Sequence, residues 1–351
     1  MTRGARETAG VVAHVPFLNR TGRVGDWDEL SEGTFSLAQG RLAAGDTEAV
    51  AQLLEVAVQE AEELHDIYGR WPAELQSWLV RTGEVEHDDL AARVRALDEL
   101  VGADEDAFES GWQDYTSQTR RLAQDLRGTT TVTADQVEAL RAGWQDVHDR
   151  AVDRLYGLLD IGVRLVGEHR LGEMWDHLMS DWYDEHASRI GGQPWSESRQ
   201  QLGYAILDGF HAHLTGDRRH GDVELVDEPG RTGFRFRPCG SGGRAMQDST
   251  TEGSPRPGPP YGFAVTTERH DWAWNTEGIC AYCVHCCLLN EVAPIDRIGH
   301  PTRVIEPPVW PADREAATCT WWIYDDPADI PDWVYERVGR TRRGASGAEG
   351  S

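Results

Sequence analysis

The chain has 351 residues, enough to bury a large core as one long domain or as two. Its 34 basic against 60 acidic residues give a formal charge of -26, so the field of the whole molecule repels polyphosphates and anionic membrane surfaces and excludes nucleic acid as an expected partner. No apolar run reaches the length of a membrane span, and the opening "MTRGARETAGVVAHVPFLNR" lacks the apolar centre of a secretory signal, so a soluble cytoplasmic protein with reduced thiols is expected.

Residues 1–30 read as a flexible N-terminus and residues 31–160 as a helical bundle. In "DTEAVAQLLEVAVQEAEELHDIYGRW", Val50, Leu53, Leu54, Ala57 and Ala61 recur at helical spacing, and Asp46 is placed to cap the helix. "DDLAARVRALDELVG" and "GWQDYTSQTRRLAQDLRG" continue the pattern, and Thr133 with Gln136 three residues on marks the start of a long helix past Leu158. Such helices also offer a surface for a homo-oligomer. Two more helices are predicted, one ending at Gly191 and Gly192 and one beginning after Pro194.

Composition then changes, and residues 161–338 read as a cysteine-rich α+β domain, followed by a disordered tail at 339–351. "VELVDEPGRTGFRFRPC" sets two alternating runs around Asp227, Pro229 and Gly230, a hairpin pattern. From Gly240 to Pro260 the chain is rich in Gly, Ser and Pro and reads as a loop. "TRVIEPP" and "ATCTWWIY" read as strands. The expected fold class is therefore α+β: an N-terminal helical bundle, then helices packed on an antiparallel sheet with a cysteine-rich helix.

Four of the six cysteines fall in "ICAYCVHCCLL", residues 279–289. On a helix turning about 100° per residue, Cys280, Cys283 and Cys287 share one stripe, while His285 and Cys286 point elsewhere. Cys239, ending one strand, and Cys319, in another, could close that stripe into one centre. These five are the expected metal ligands, with zinc as the expected ion and an iron–sulfur cluster as the alternative, because thiolates in a dry pocket need a cation. Cysteine also serves as a small apolar core residue or as an unligated reactive thiol. For thiol chemistry, Cys286 beside His285 supplies a nucleophile and a base, and His270 a second proton carrier.

Other candidates lie around this segment. His169, Glu173, His177 and Asp181 recur at four-residue spacing, and Asp208 and His211 stand three apart with His213 close by. Of these, His177 is the expected substrate contact. Trp272 and Trp274 in "HDWAWNTEG" are expected to line a pocket, and the "CGSGGR" turn with Arg244 to cradle an anion or carboxylate.

The order of these elements resembles the L-2-amino-thiazoline-4-carboxylate hydrolase family. "VELVDEPGRTGFRFRPC", "ICAYCVHCCLLNEVAPI", "TRVIEPP" and "CTWWIY" carry the resemblance, which spans roughly residues 160 to 325. The chain is more distantly similar to vinyl reductase-type small-molecule-binding domains. The resemblance implies helices on an antiparallel sheet, hydrolytic opening of a cyclic isothiourea-like ring, and Cys239, Cys287 and Cys319 near one another. The expected function is that of a cytoplasmic hydrolase acting on a C–N bond of a small heterocyclic or amide-like substrate, through a cysteine-rich metal site or a cysteine nucleophile. The alternative is a non-enzymatic metal- or iron–sulfur-dependent module that binds a small molecule or senses redox state.

Overall fold

The computed structural model describes residues 10–82, 85–216, 219–247, 253–311 and 317–342. Within it, much of the segment read as a flexible N-terminus is ordered. Strands β1 (Val12–Val15) and β2 (Arg20–Arg23) pair as an antiparallel hairpin, and the short helix α1 (Trp27–Leu30) starts on a capping box made by Asp26 and Glu29. Residues 1–9 lie outside the described residues.

The helical bundle follows its local signals. After α2 (Thr34–Ala43), Asp46 accepts a hydrogen bond from the Ala49 N–H and starts α3 (Thr47–Arg81), the longest helix. Helices α4 (His87–Val101) and α5 (Glu105–Arg127) come next, and Thr133 and Gln136 form the expected capping box at the start of α6 (Ala134–Val166). Val50, Leu53, Leu54, Ala57 and Ala61 of α3 are all buried against α2, α5 and α6, as their spacing predicts. Helix α7 (Leu171–Gly191) stops at the glycine pair, and α8 (Trp195–His213) starts directly after Pro194 and lies along α3.

The second layer is a four-stranded antiparallel sheet of β3 (Glu224–Glu228), β4 (Arg231–Phe236), β5 (Val304–Glu306) and β6 (Cys319–Tyr324), in the order β3-β4-β6-β5. Glu228 pairs with Arg231 across a two-residue turn in which Gly230 takes φ +83°, a conformation glycine adopts at little cost. Every residue of β6 is buried, which is why "CTWWIY" shows no polar alternation. The fold is α+β, and one apolar core runs from Leu30 to Val338 through bundle and sheet alike. No helix among the described residues is long and apolar enough to cross a membrane.

The cysteine-rich segment departs from the single helix expected over 279–290. The Thr266 N–H donates to Ile279 O at 2.8 Å and the Ala281 N–H to Ala264 O at 3.1 Å, so residues 279–281 are bound strand-like to residues 264–266. After α9 (Gly242–Ala245), the next α-helix, α10 (Val284–Cys287), therefore begins only past Cys283; it widens into a π turn (Leu288–Val292) before α11 (Ala293–Ile298). The tail read as disordered from residue 339 is pinned in part, since Arg340 pairs with Asp296 and Arg342 with Asp332 beside α12 (Asp332–Glu336). Residues 343–351 lie outside the described residues.

Glu291, on the π turn and fully buried, ties these pieces together. Its carboxylate accepts hydrogen bonds from Trp274 Nε1 at 2.9 Å and the Ile305 N–H at 2.8 Å, and pairs with Arg337. Removing one partner of a buried ion pair leaves the other uncompensated, so Glu291→Ala is expected to lower stability by about 3 kcal/mol, read from the urea unfolding midpoint. An unchanged midpoint would show that the clamp contributes nothing.

Candidate active site

A cavity of about 180 Å³ lies where α3, α7 and α8 meet the sheet and the cysteine-rich segment. That is smaller than the roughly 300 Å³ at which sites for drug-sized ligands begin, so the occupant it suits is a small metabolite. Its walls are aromatic: Tyr68 and Trp71 from α3, Phe210 from α8, Trp274 and Tyr282 near the cysteines, and Trp321 from β6. Of the two tryptophans expected to line a pocket, Trp274 lines this cavity and Trp272 does not.

Four thiols reach this cavity: Cys239, Cys283, Cys286 and Cys319. Cys280 and Cys287 do not: Cys280 precedes the helix that Cys283 caps, and Cys287 ends it. Cys280 lies deeper, between Cys283 and Tyr156, and the Cys287 thiol turns away to the Asp271 carbonyl at 3.7 Å. The expected stripe thus keeps Cys280 beside Cys283 and loses Cys287, and of the trio implied by the resemblance only Cys239 and Cys319 share the cavity. Among the described residues, no three His, Cys, Asp or Glu side chains form a group able to hold a metal ion. The residues present therefore do not fit a single zinc or cluster centre built from Cys239, Cys280, Cys283, Cys287 and Cys319.

Cys286 and His285 form a different arrangement. His285 Nδ1 stands 2.6 Å from the Tyr282 carbonyl, which can only accept, so Nδ1 carries the hydrogen. His285 Nε2 is then a lone pair, 3.4 Å from Cys286 Sγ. The ring is wedged between Trp175 and Tyr282, with centroids 5.0 and 5.1 Å away. Burial pushes the His285 imidazole down to about 4 and the Cys286 thiol well above its ordinary range. At neutral pH the pair rests as thiol and neutral imidazole, a base aligned on the proton of its nucleophile.

Arg303, just before β5, supplies positive charge to the same space. Its Nη2 donates to His186 Nε2 at 2.8 Å, its Nε has no hydrogen-bond partner, and the guanidinium lies 5.4 Å from the Trp321 ring centroid. Burial pushes Arg303 down to about 10, so it stays charged at pH 7, and pushes His186 down to about 3, which keeps that ring an acceptor. No carboxylate among the described residues is paired with Arg303. Asp208, also on the cavity wall, accepts from Arg20 through Oδ2, while its buried Oδ1 has no partner among the described residues. Burial and the charge of Glu60 raise the Asp208 carboxyl to about 7.

The other sequence candidates lie elsewhere. Arg244 is buried and held by Asp153 and Asp149, so it is not available to an anion, and the Gly243 N–H of its turn donates to Cys239 Sγ at 3.1 Å. His270 bonds Glu168 at 2.9 Å and stacks on Trp272 at 4.1 Å, outside the cavity. His177 sits at the surface against Arg81. His211 is occupied by Glu60 and the Leu30 carbonyl. The glycines of "CGSGGR" serve close packing instead: a β-carbon at Gly242 would overlap Cys283 Sγ, and one at Gly240 the His213 carbonyl. Arg303 and His186 were not anticipated from the sequence, although an arginine entering the buried strand "TRVIEPP" is itself a signal.

Comparisons of the chain with protein-family models, with curated proteins and with solved structures find no match. The site is therefore read from its own geometry. An NMR titration of the His285 ring is expected to show it unprotonated throughout pH 6 to 8, charging only as the pH nears 4. A midpoint near 6.5, the ordinary histidine value, would show that the ring is in contact with water.

Proposed function

We propose that the protein is a hydrolase acting on a C–N bond of a small heterocyclic or amide-like substrate, with Cys286 as nucleophile and His285 as its base. The observation that carries this reading is the fixed His285 tautomer: Nδ1–H on the Tyr282 carbonyl and Nε2 at 3.4 Å from Cys286 Sγ, in a cavity with an unpaired cation. As sulfur bonds to the substrate carbon, its proton passes to His285 Nε2. The C–N bond then breaks and the departing nitrogen takes that proton. Water hydrolyses the sulfur-bound intermediate and restores the thiol.

Arg303 suits an anionic group on the substrate, a carboxylate above all, because its buried guanidinium gains a partner on binding. Its charge also favours electron-rich sulfur at Cys286 during attack. The resemblance to the thiazoline carboxylate hydrolases supports the same substrate chemistry, a C–N bond in a small ring bearing a carboxylate.

Hydrolysis of 2-amino-thiazoline-4-carboxylate and of small N-acyl amino acids by the purified chain tests the reading. Cys286→Ala is expected to abolish turnover, His285→Gln to lower it by about 10² to 10⁴, and Arg303→Met to raise KM for the carboxylates far more than for their amides. Full activity in Cys286→Ala would exclude Cys286 as nucleophile.

A further inference from the structure

A second line of polar groups ends at the same cavity. Asp149 and His148 lie on α6, and His213 is the last residue of α8. His148 Nδ1 is 2.9 Å from Asp149 Oδ1, and His148 Nε2 is 2.9 Å from His213 Nδ1. Asp149 is held as a carboxylate by Arg219, whose Nη2 donates to Oδ1 at 2.8 Å, and by Arg244 at 3.6 Å.

These partners fix every hydrogen in the line. A carboxylate only accepts, so the hydrogen between Asp149 and His148 belongs to His148 Nδ1. Burial keeps His148 neutral, so its Nε2 accepts and the hydrogen of the second contact belongs to His213 Nδ1. His213 Nε2 is left with a lone pair. Among the described residues it takes no hydrogen bond, and His213 lines the cavity. The line thus ends on His213, a wall residue of the cavity that holds Cys286.

We propose that His213 is a second catalytic base of the cavity, taking through Nε2 a proton from the water that hydrolyses the intermediate on Cys286, with His148 and Asp149 as its positioning residues. The inference rests on the reading of Cys286 as nucleophile. In the step, the water oxygen bonds to the substrate carbon, the C–S bond breaks, and one water proton moves to His213 Nε2. The released sulfur recovers that proton, leaving a thiol, a neutral imidazole and the hydrolysed product. His285 is near enough that a charge on either ring opposes a charge on the other, so the two bases work in succession, His285 during attack and His213 during release.

4-Nitrophenyl acetate, small enough for the cavity, separates the two halves, because acetylation of Cys286 releases nitrophenolate in a burst and hydrolysis of the thioester sets the later steady rate. The wild-type chain is expected to release one nitrophenolate per chain in the burst. His213→Gln should keep that burst and lower the steady rate by about 10². His148→Phe should also keep the burst and slow the steady rate. Ring ¹⁵N NMR supplies the signature that a merely structural His148 would not give: both rings carry Nδ1–H in the wild type, and His213 shifts toward the Nε2–H form in His148→Phe. A wild-type His213 in the Nε2–H form, or a steady rate unchanged in His213→Gln, would overturn the inference alone. Absence of a burst from the wild type would overturn the reading of Cys286 and the inference with it.

Discussion

Around the cavity, the removal of water sets the charge of each group before any substrate arrives. It keeps His285 and His186 neutral and Cys286 a thiol. Arg303 stays a cation that forms no ion pair among the described residues, although Glu63 lines the same cavity and acts on it through space. A thiol and a neutral base in contact can exchange a proton during attack without first forming an ion pair in apolar surroundings, where separated charge is costly. The Arg303 guanidinium adds a positive charge to a wall that also carries Glu60, Glu63 and Asp208. The cavity thus brings a thiol, a neutral base and a guanidinium to one small space.

Near that space lies a buried network of ion pairs. Asp149 and Asp153 of α6 sit among Arg219, Arg244 and Arg256, which cross from the segments after α8 and β4. The network accounts for Arg244 in structural terms and explains why the glycine-rich turn is buried, not loose: Gly240 and Gly242 let backbone pass directly under His213 and Cys283. On the other side, Glu291 fixes Trp274, the edge strand β5 and α12 relative to the cysteines. Both networks place side chains that face the cavity without facing it themselves.

Much of the architecture was legible in the sequence because it rests on short-range rules. Asp46 and Thr133 cap the helices they were expected to cap, Gly191 and Pro194 bracket a helix junction, and Pro229 with Gly230 turns the hairpin. The cysteine segment was misread because a long-range contact overrode local pattern. Its first residues take strand-like hydrogen bonds from residues 264–266, so the helix starts only past Cys283. Cys280 stays beside Cys283 but off the cavity, Cys287 turns to the Asp271 carbonyl, and Cys283 and Cys286 line the cavity. The pairing of Cys286 with His285 was legible because adjacent residues share their surroundings. Arg303, His186 and the α3 wall were not, since their shared cavity depends on packing between segments more than 100 residues apart in the chain. The helices of the N-terminal half, which carried no chemical signal, supply Tyr68, Trp71 and the Asp149–His148 pair.

The central claim is that Cys286 is the reactive thiol and that Arg303 draws anions to it. Brief labelling with iodoacetate and, separately, with iodoacetamide, followed by peptide mapping of all six cysteines, tests both parts together. The account predicts that Cys286 is alkylated first, and faster by the negatively charged iodoacetate than by neutral iodoacetamide, with that preference lost in Arg303→Met. Alkylation of another cysteine ahead of Cys286, or a preference for iodoacetamide at Cys286, would contradict it.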